Sequence, residues 1–137
     1  MAYSSLYANF FSVCQRTGSA VASLWRFSPT RFYLLAILLL QALAWWGAFF
    51  IYRNLAGDIL VLHYNVDFGI DLIGTPQRIF FYPMFGLGIT LLNLAGAAFF
   101  TRHKDFRIFA HLLMAASVNF GLILSFALFF IYFINFK

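Results

Sequence analysis

The chain has 137 residues, of which 64% are hydrophobic and 9% charged, with no glutamate, four aspartates and a formal net charge of +5. That balance excludes an ordinary soluble domain, and the length leaves room for one domain. The nine basic residues bracket apolar stretches instead of forming a stripe, which argues against a nucleic-acid surface. The single Cys14 excludes an internal disulfide, a cysteine zinc site and a CxxC redox pair.

Residues 1–27 are interrupted by Gln15, Arg16 and Arg26 and do not read as a span. Tyr3, Leu6, Tyr7, Phe10, Phe11 and Cys14 nevertheless follow helical spacing, with Ser4, Ser5, Asn9, Ser12 and Arg16 taking most of the other side. The pattern predicts an amphipathic helix in the membrane interface, or one packed on a protein partner, with Gly18 as a break before Val21. No positive charge precedes Arg16, so a first span acting as an uncleaved signal anchor is the simpler reading than a cleaved leader.

No charged residue lies between Arg31 and Arg53, between Arg78 and Arg102, or between Arg107 and Lys137. A helix needs about 20 residues to cross a hydrocarbon core of about 30 Å, and each gap is long enough. We expect an all-α membrane protein: an interfacial segment 1–27, then a three-helix transmembrane domain 28–137 with spans at about 30–52, 79–101 and 108–136. Ser28-Pro29 predicts the first start, with Ser28 as N-cap. Pro83 falls in the first turns of the second span, where proline is tolerated. The third span exceeds the bilayer, so it tilts or projects.

Arg16, Arg26, Arg31, Arg102, Lys104 and Arg107 fall on one side, and Arg53, Arg78 and Lys137 on the other. The count predicts the N-terminus and the 102–107 turn inside, and loop 53–78 and the C-terminus outside. Trp45, Trp46, Tyr52, Tyr82 and Tyr132 read as lipid-facing or interfacial anchors.

Helices in lipid associate through small residues and side-chain hydrogen bonds. The second span carries Gly86, Thr90, Asn93, Ala97 and Thr101 on one face; the first offers Gln41, Ala44 and Ala48. The third offers two edges, Ser117–Gly121–Ser125 and His111–Ala115–Asn119, so it lies between the other two or presents one edge to another protein. Gln41, Asn93 and Asn119 sit at similar depth and predict one hydrogen-bonded layer. Carboxamides do not titrate, so this is packing and not a proton path. His111, one turn from Arg107, reads as an interfacial histidine.

Loop 53–78 holds β-branched and aromatic residues around Asp67-Phe68-Gly69, which predicts an outer hairpin. His63, Tyr64, Asn65, Asp67, Gly69, Asp71 and Gly74 are its candidate ligand or partner residues. His63, Asn65, Asp67 and Asp71 could be read as a metal site, but the spacing fits strand and helix alike. Turn formation is the plainer reading, and no metal or other cofactor is expected.

His63-Tyr64-Asn65 followed by Asp71-Leu72-Ile73-Gly74 resembles the outer segment of SdpI-type bacterial immunity and signalling membrane proteins, in their N-terminal unit. It is more similar to short bacterial membrane proteins carrying H-Y-N and F-G-I-D-x-I-G before a second span. The resemblance covers about residues 32–100; Gly69 sits one place late, and the proline-containing segment before the histidine is missing. It implies the topology and marks the loop, and it carries over no catalytic residue.

Catalysis needs a nucleophile, a base and an orienting group. Cys14 and His111 lie in different elements without an acidic partner, and no phosphate-binding glycine loop is present. The expected function is a non-catalytic accessory or scaffold protein, binding a membrane-protein partner or its own copies through the third span and the N-terminal helix. The alternatives are an SdpI-like protein recognising a ligand through loop 58–75, and a small oligomeric pore.

Overall fold

The computed structural model describes residues 2–55, 57, 59–65, 67 and 69–136, with the side chains of 2–9, 13, 65 and 71 outside the description. The chain runs α1 (Ala2–Arg26), α2 (Ser28–Asn54), β1 (Leu60–Asn65), β2 (Gly69–Gly74), α3 (Phe81–Phe99) and α4 (Phe106–Asn135). Short 3-10 segments, Pro76–Phe80 and Phe100–Arg102, extend α3 at both ends. Three stretches, Ser28–Asn54, Pro76–Arg102 and Phe106–Asn135, are long and apolar enough to cross a membrane.

The break between α1 and α2 follows from one proline. Pro29 has no N–H to give to the Trp25 carbonyl, so the helix cannot continue past it. The abandoned Trp25 carbonyl is taken by Arg31 Nε at 3.2 Å, and the Arg31 guanidinium lies 5.2 Å from the Trp25 ring centre. Phe27 takes the N-cap position with extended backbone and no side-chain cap, and α2 begins at Ser28. Ser28 is therefore inside the helix, not the cap expected of it. Gly18 makes no break either. α1 passes through it without interruption, because one interior glycine costs only about 1 kcal/mol.

α4 packs along both α2 and α3, which touch each other less; it occupies the position between them. Its buried residues Ala110, Met114, Ser117, Leu124, Leu128 and Ile131 recur at three-, four- and seven-residue steps along one seam. α2 answers with Ile37, Ala44, Ala48 and Ile51. Small residues set the spacing. A methyl on Gly121 would stand 3.2 Å from Leu40 Cβ, and one on Gly86 would stand 2.6 Å from Leu124 Cδ1. Only 22%, 17% and 22% of the most apolar windows of the three spans are buried, so most of their side chains face outward, as lipid-facing helices do.

The bundle has two different ends. At one, α1 packs on α2, α3 and the turn after α3, inserting Leu24 beside Ala97 and Met114. At the other, the β1–β2 hairpin sits against Ala44, Ala48, Ile51, Ile79, Leu128 and Ile131.

Candidate functional site

The hairpin is the element that the rest of the fold goes furthest to position. β1 and β2 pair antiparallel from Leu60 opposite Gly74 to Asn65 opposite Gly69, with an irregularity around His63. Gly69 closes the turn at φ +77°, a conformation in which a β-carbon is strained. Leu60 and Leu62, two apart on one face of the strand, enter the core at 0% and 7% exposure.

Polar contacts complete the attachment. Asn135, in the last turn of α4, pairs its carboxamide with the backbone N–H and C=O of one residue of β1. The Val61 N–H donates to Asn135 Oδ1 at 2.9 Å, and Asn135 Nδ2 donates to the Val61 carbonyl at 2.8 Å. Both backbone groups of Val61 are satisfied, on an edge that a two-stranded sheet leaves open. The Tyr82 hydroxyl donates to the Leu62 carbonyl over a long 3.4 Å. Tyr82 is thus half-buried, with its hydroxyl on the hairpin. Gly74 leaves the room that brings the Arg78 stem across the hairpin root; a methyl there would lie 2.7 Å from Arg78 Cδ and 3.0 Å from Leu62 Cδ1.

Several apolar side chains in and beside this locked element stay exposed. Ile59, Tyr64, Ile70, Leu72 and Ile73 are 47–63% exposed. His63 and Asp67 are exposed as well. The side chains of Asn65 and Asp71, and all of Asp58, lie outside the described residues. Among the described residues no group of three His, Cys, Asp or Glu side chains could hold a metal ion.

The span carboxamides do not form the single layer expected of them. Gln41 Nε2 donates to the Pro83 carbonyl at 2.6 Å, tying α2 to α3. Asn93 Nδ2 donates to Ser117 Oγ at 3.0 Å, tying α3 to α4, and Ser117 passes its own proton to the Leu113 carbonyl. Asn119 turns back to the Ala115 carbonyl of its own helix and is exposed. Thr90 is buried; Ser125 and Thr101 bond to carbonyls of their own helical turns. Thr30 Oγ1 is the buried side-chain oxygen left without a hydrogen-bond partner among the described residues. Removing the Asn93–Ser117 bond should cost little. Asn93→Ala and Ser117→Ala should show a coupling of about 0.6 kcal/mol in a double-mutant cycle of detergent unfolding. A coupling near zero would mean that the bond is not made.

His111 meets the Tyr33 hydroxyl at Nδ1, 3.2 Å away, with Phe27 edge-on at 5.1 Å. It sits at the α1 end, where α1 and α2 join. Sequence spacing did not bring out Asn135 or Arg78 as hairpin supports. Asn135 is polar at the end of a long apolar run, the one signal that could have marked it.

No known family model matches the chain, nor does any curated protein or solved structure.

Proposed function

We propose that this is a non-catalytic integral membrane protein whose task is binding, and that the β1–β2 hairpin is its binding element. The carrying observation is a contrast within the hairpin. Leu60, Leu62 and Asn135 lock it to the bundle, while Tyr64, Ile70, Leu72 and Ile73 stay exposed. A rigid apolar patch lowers the ordering cost of association, and such patches outside a membrane mark contact sites for protein. The partner in this reading is another membrane polypeptide, which makes the chain an accessory or scaffold component. The polar edge of α4 at Ser117 and Gly121 is used within the bundle, against Asn93 and Leu40, so the contact surface shifts from the third span to the hairpin.

The orientation belongs to the same proposal. In the proposed orientation the N-terminus is inside and the hairpin outside a bacterial inner membrane, a reading supported by six basic residues at the α1 end against Arg53 and Arg78 at the hairpin end. A photo-reactive residue at Ile70 or Leu72 should then give a protein adduct of discrete mass in native membranes. The same probe at Leu38, exposed mid-span, should give lipid adducts only. Lipid adducts alone from the hairpin would sink the proposal.

The second reading, SdpI-like recognition of an external peptide, uses the same element and is favoured by the exposure of His63 beside Tyr64. It expects His63→Ala or Asp71→Ala to lose protection or signalling at unchanged membrane levels. A pore has less support, because Gln41, Asn93, Asn119 and Ser125 each bond within the bundle.

A further inference from the structure

At the end of the molecule away from the hairpin, α1 and the turn after α3 enclose a cleft of about 510 Å³ lined by Ser12, Gln15, Arg16, Ser19 and Arg102. Positions 12, 15, 16 and 19 are one helical face of α1, so the polar stripe of that helix is turned toward Arg102. Phe10, Phe11 and Cys14 are exposed outside it. The two guanidinium groups come from elements far apart in sequence and share one cleft.

Charge at this end is unbalanced. Arg16, Arg26, Arg31, Arg102, Lys104 and Arg107 gather there, and the chain has no glutamate. The one aspartate nearby, Asp105, lies 3.6 Å from His103. Arg31 is occupied by Trp25, through its carbonyl and its ring. Two like charges converging on a cleft are stabilised by an anion between them, and planar guanidinium forks match the oxygens of a phosphate. Gln15 adds amide donors. The Ser19 hydroxyl is already given to the Arg16 carbonyl at 2.8 Å and helps to shape the wall. Arg102 closes the span Pro76–Arg102, which sets the cleft at the depth where lipid phosphates lie.

We propose that this cleft is a binding site for a phosphate group, held between Arg16 and Arg102. A phospholipid headgroup and free phosphate share that chemistry. The full-length protein in neutral detergent micelles, doped with phosphatidylglycerol or with phosphatidylcholine, distinguishes the sources when retained lipid is counted by native mass spectrometry. Parallel samples receive inorganic phosphate alone. An anionic-lipid site retains phosphatidylglycerol over phosphatidylcholine. Retention falls about fivefold for Arg16→Gln or Arg102→Gln and about thirtyfold for the pair, at about 1 kcal/mol for each arginine. A free-phosphate site shows the same arginine dependence for inorganic phosphate and none for either lipid. Arg53→Gln, at the opposite end and stacked over Phe49, changes neither. The paired variant Arg16→Lys/Arg102→Lys keeps the charge without the planar fork and recovers part of the binding lost in the glutamine pair, which separates loss of charge from loss of fold. Equal retention in wild type and the paired glutamine variant, for lipid and phosphate alike, overturns the proposal.

Discussion

Leu60→Ala should release the hairpin from the bundle while the three spans stay assembled. Leu60 is fully buried at the foot of β1, among Ala48, Ile51, Ile79 and Ile131. Truncating a leucine in such a place costs about 2–5 kcal/mol. A two-stranded sheet has little stability of its own with which to absorb that loss. The loss should therefore be local. Hydrogen exchange of the β1 and β2 amides should accelerate by about 30-fold or more, at about tenfold for each 1.4 kcal/mol, while exchange within α4 stays unchanged. Trypsin should cut faster at Arg53 and Arg78, which flank the segment. Asn135→Ala should act in the same direction but less strongly, because it unpairs only the backbone N–H and C=O of Val61, at about 1–3 kcal/mol. If Leu60→Ala lowered the unfolding midpoint of the whole bundle and left hairpin exchange unchanged, the hairpin would be a structural part of the core and not a separately held display element.

Gly86→Ile should have the largest effect on the bundle itself. The added β-carbon would start 2.6 Å from Leu124 Cδ1 and 3.3 Å from Gln41 Oε1, and the rest of the isoleucine needs more room still, so these side chains or α3 itself must shift. Overpacking of this kind costs about 1–3 kcal/mol, and the Gln41–Pro83 bond goes with it, at about 0.6 kcal/mol. Leu124 is a flexible side chain, which suggests a suppressor. Leu124→Ala in the same molecule empties the space that isoleucine needs and should restore part of the loss. Measured as a midpoint in denaturing detergent, the double variant should lie above Gly86→Ile alone. Additive losses would show that Gly86 and Leu124 do not compete for the same space.

Features that depend on chain-local physics were legible in the residues. The spans declare themselves through charge-free length, and their ends were displaced by only a few residues, as with Pro76 against an expected start near 79. The hairpin was legible because Asp67-Phe68-Gly69 offers the backbone a turn and Gly69 accepts φ +77°. What was not legible depends on distant partners. A mid-span carboxamide can reach across to another helix, as Asn93 does, or back to the carbonyl four residues earlier, as Asn119 does. The residue type is the same in both cases, and only the neighbour decides. Gly18 suggested a break by its propensity, but a single glycine inside a long helix is outweighed by the hydrogen bonds around it. The candidate site follows the same division. His63, Tyr64 and Gly74 stood out by pattern, whereas Asn135 acts on Val61 across 74 positions and Arg78 acts on Gly74 through space.

That clasp between Asn135 and Val61 has a consequence for biogenesis. During synthesis the hairpin strands leave the ribosome well before the last turn of α4, so β1 waits for about 70 residues with the Val61 peptide uncapped and Leu60 and Leu62 without Leu128 and Ile131. At roughly 5–20 residues per second the wait lasts several seconds, long compared with the microseconds in which a hairpin forms. The hairpin end of the bundle is thus completed by the arrival of α4 and not by the passage of its own strands. A molecule with a clasped hairpin has by the same act brought α4 into place beside it.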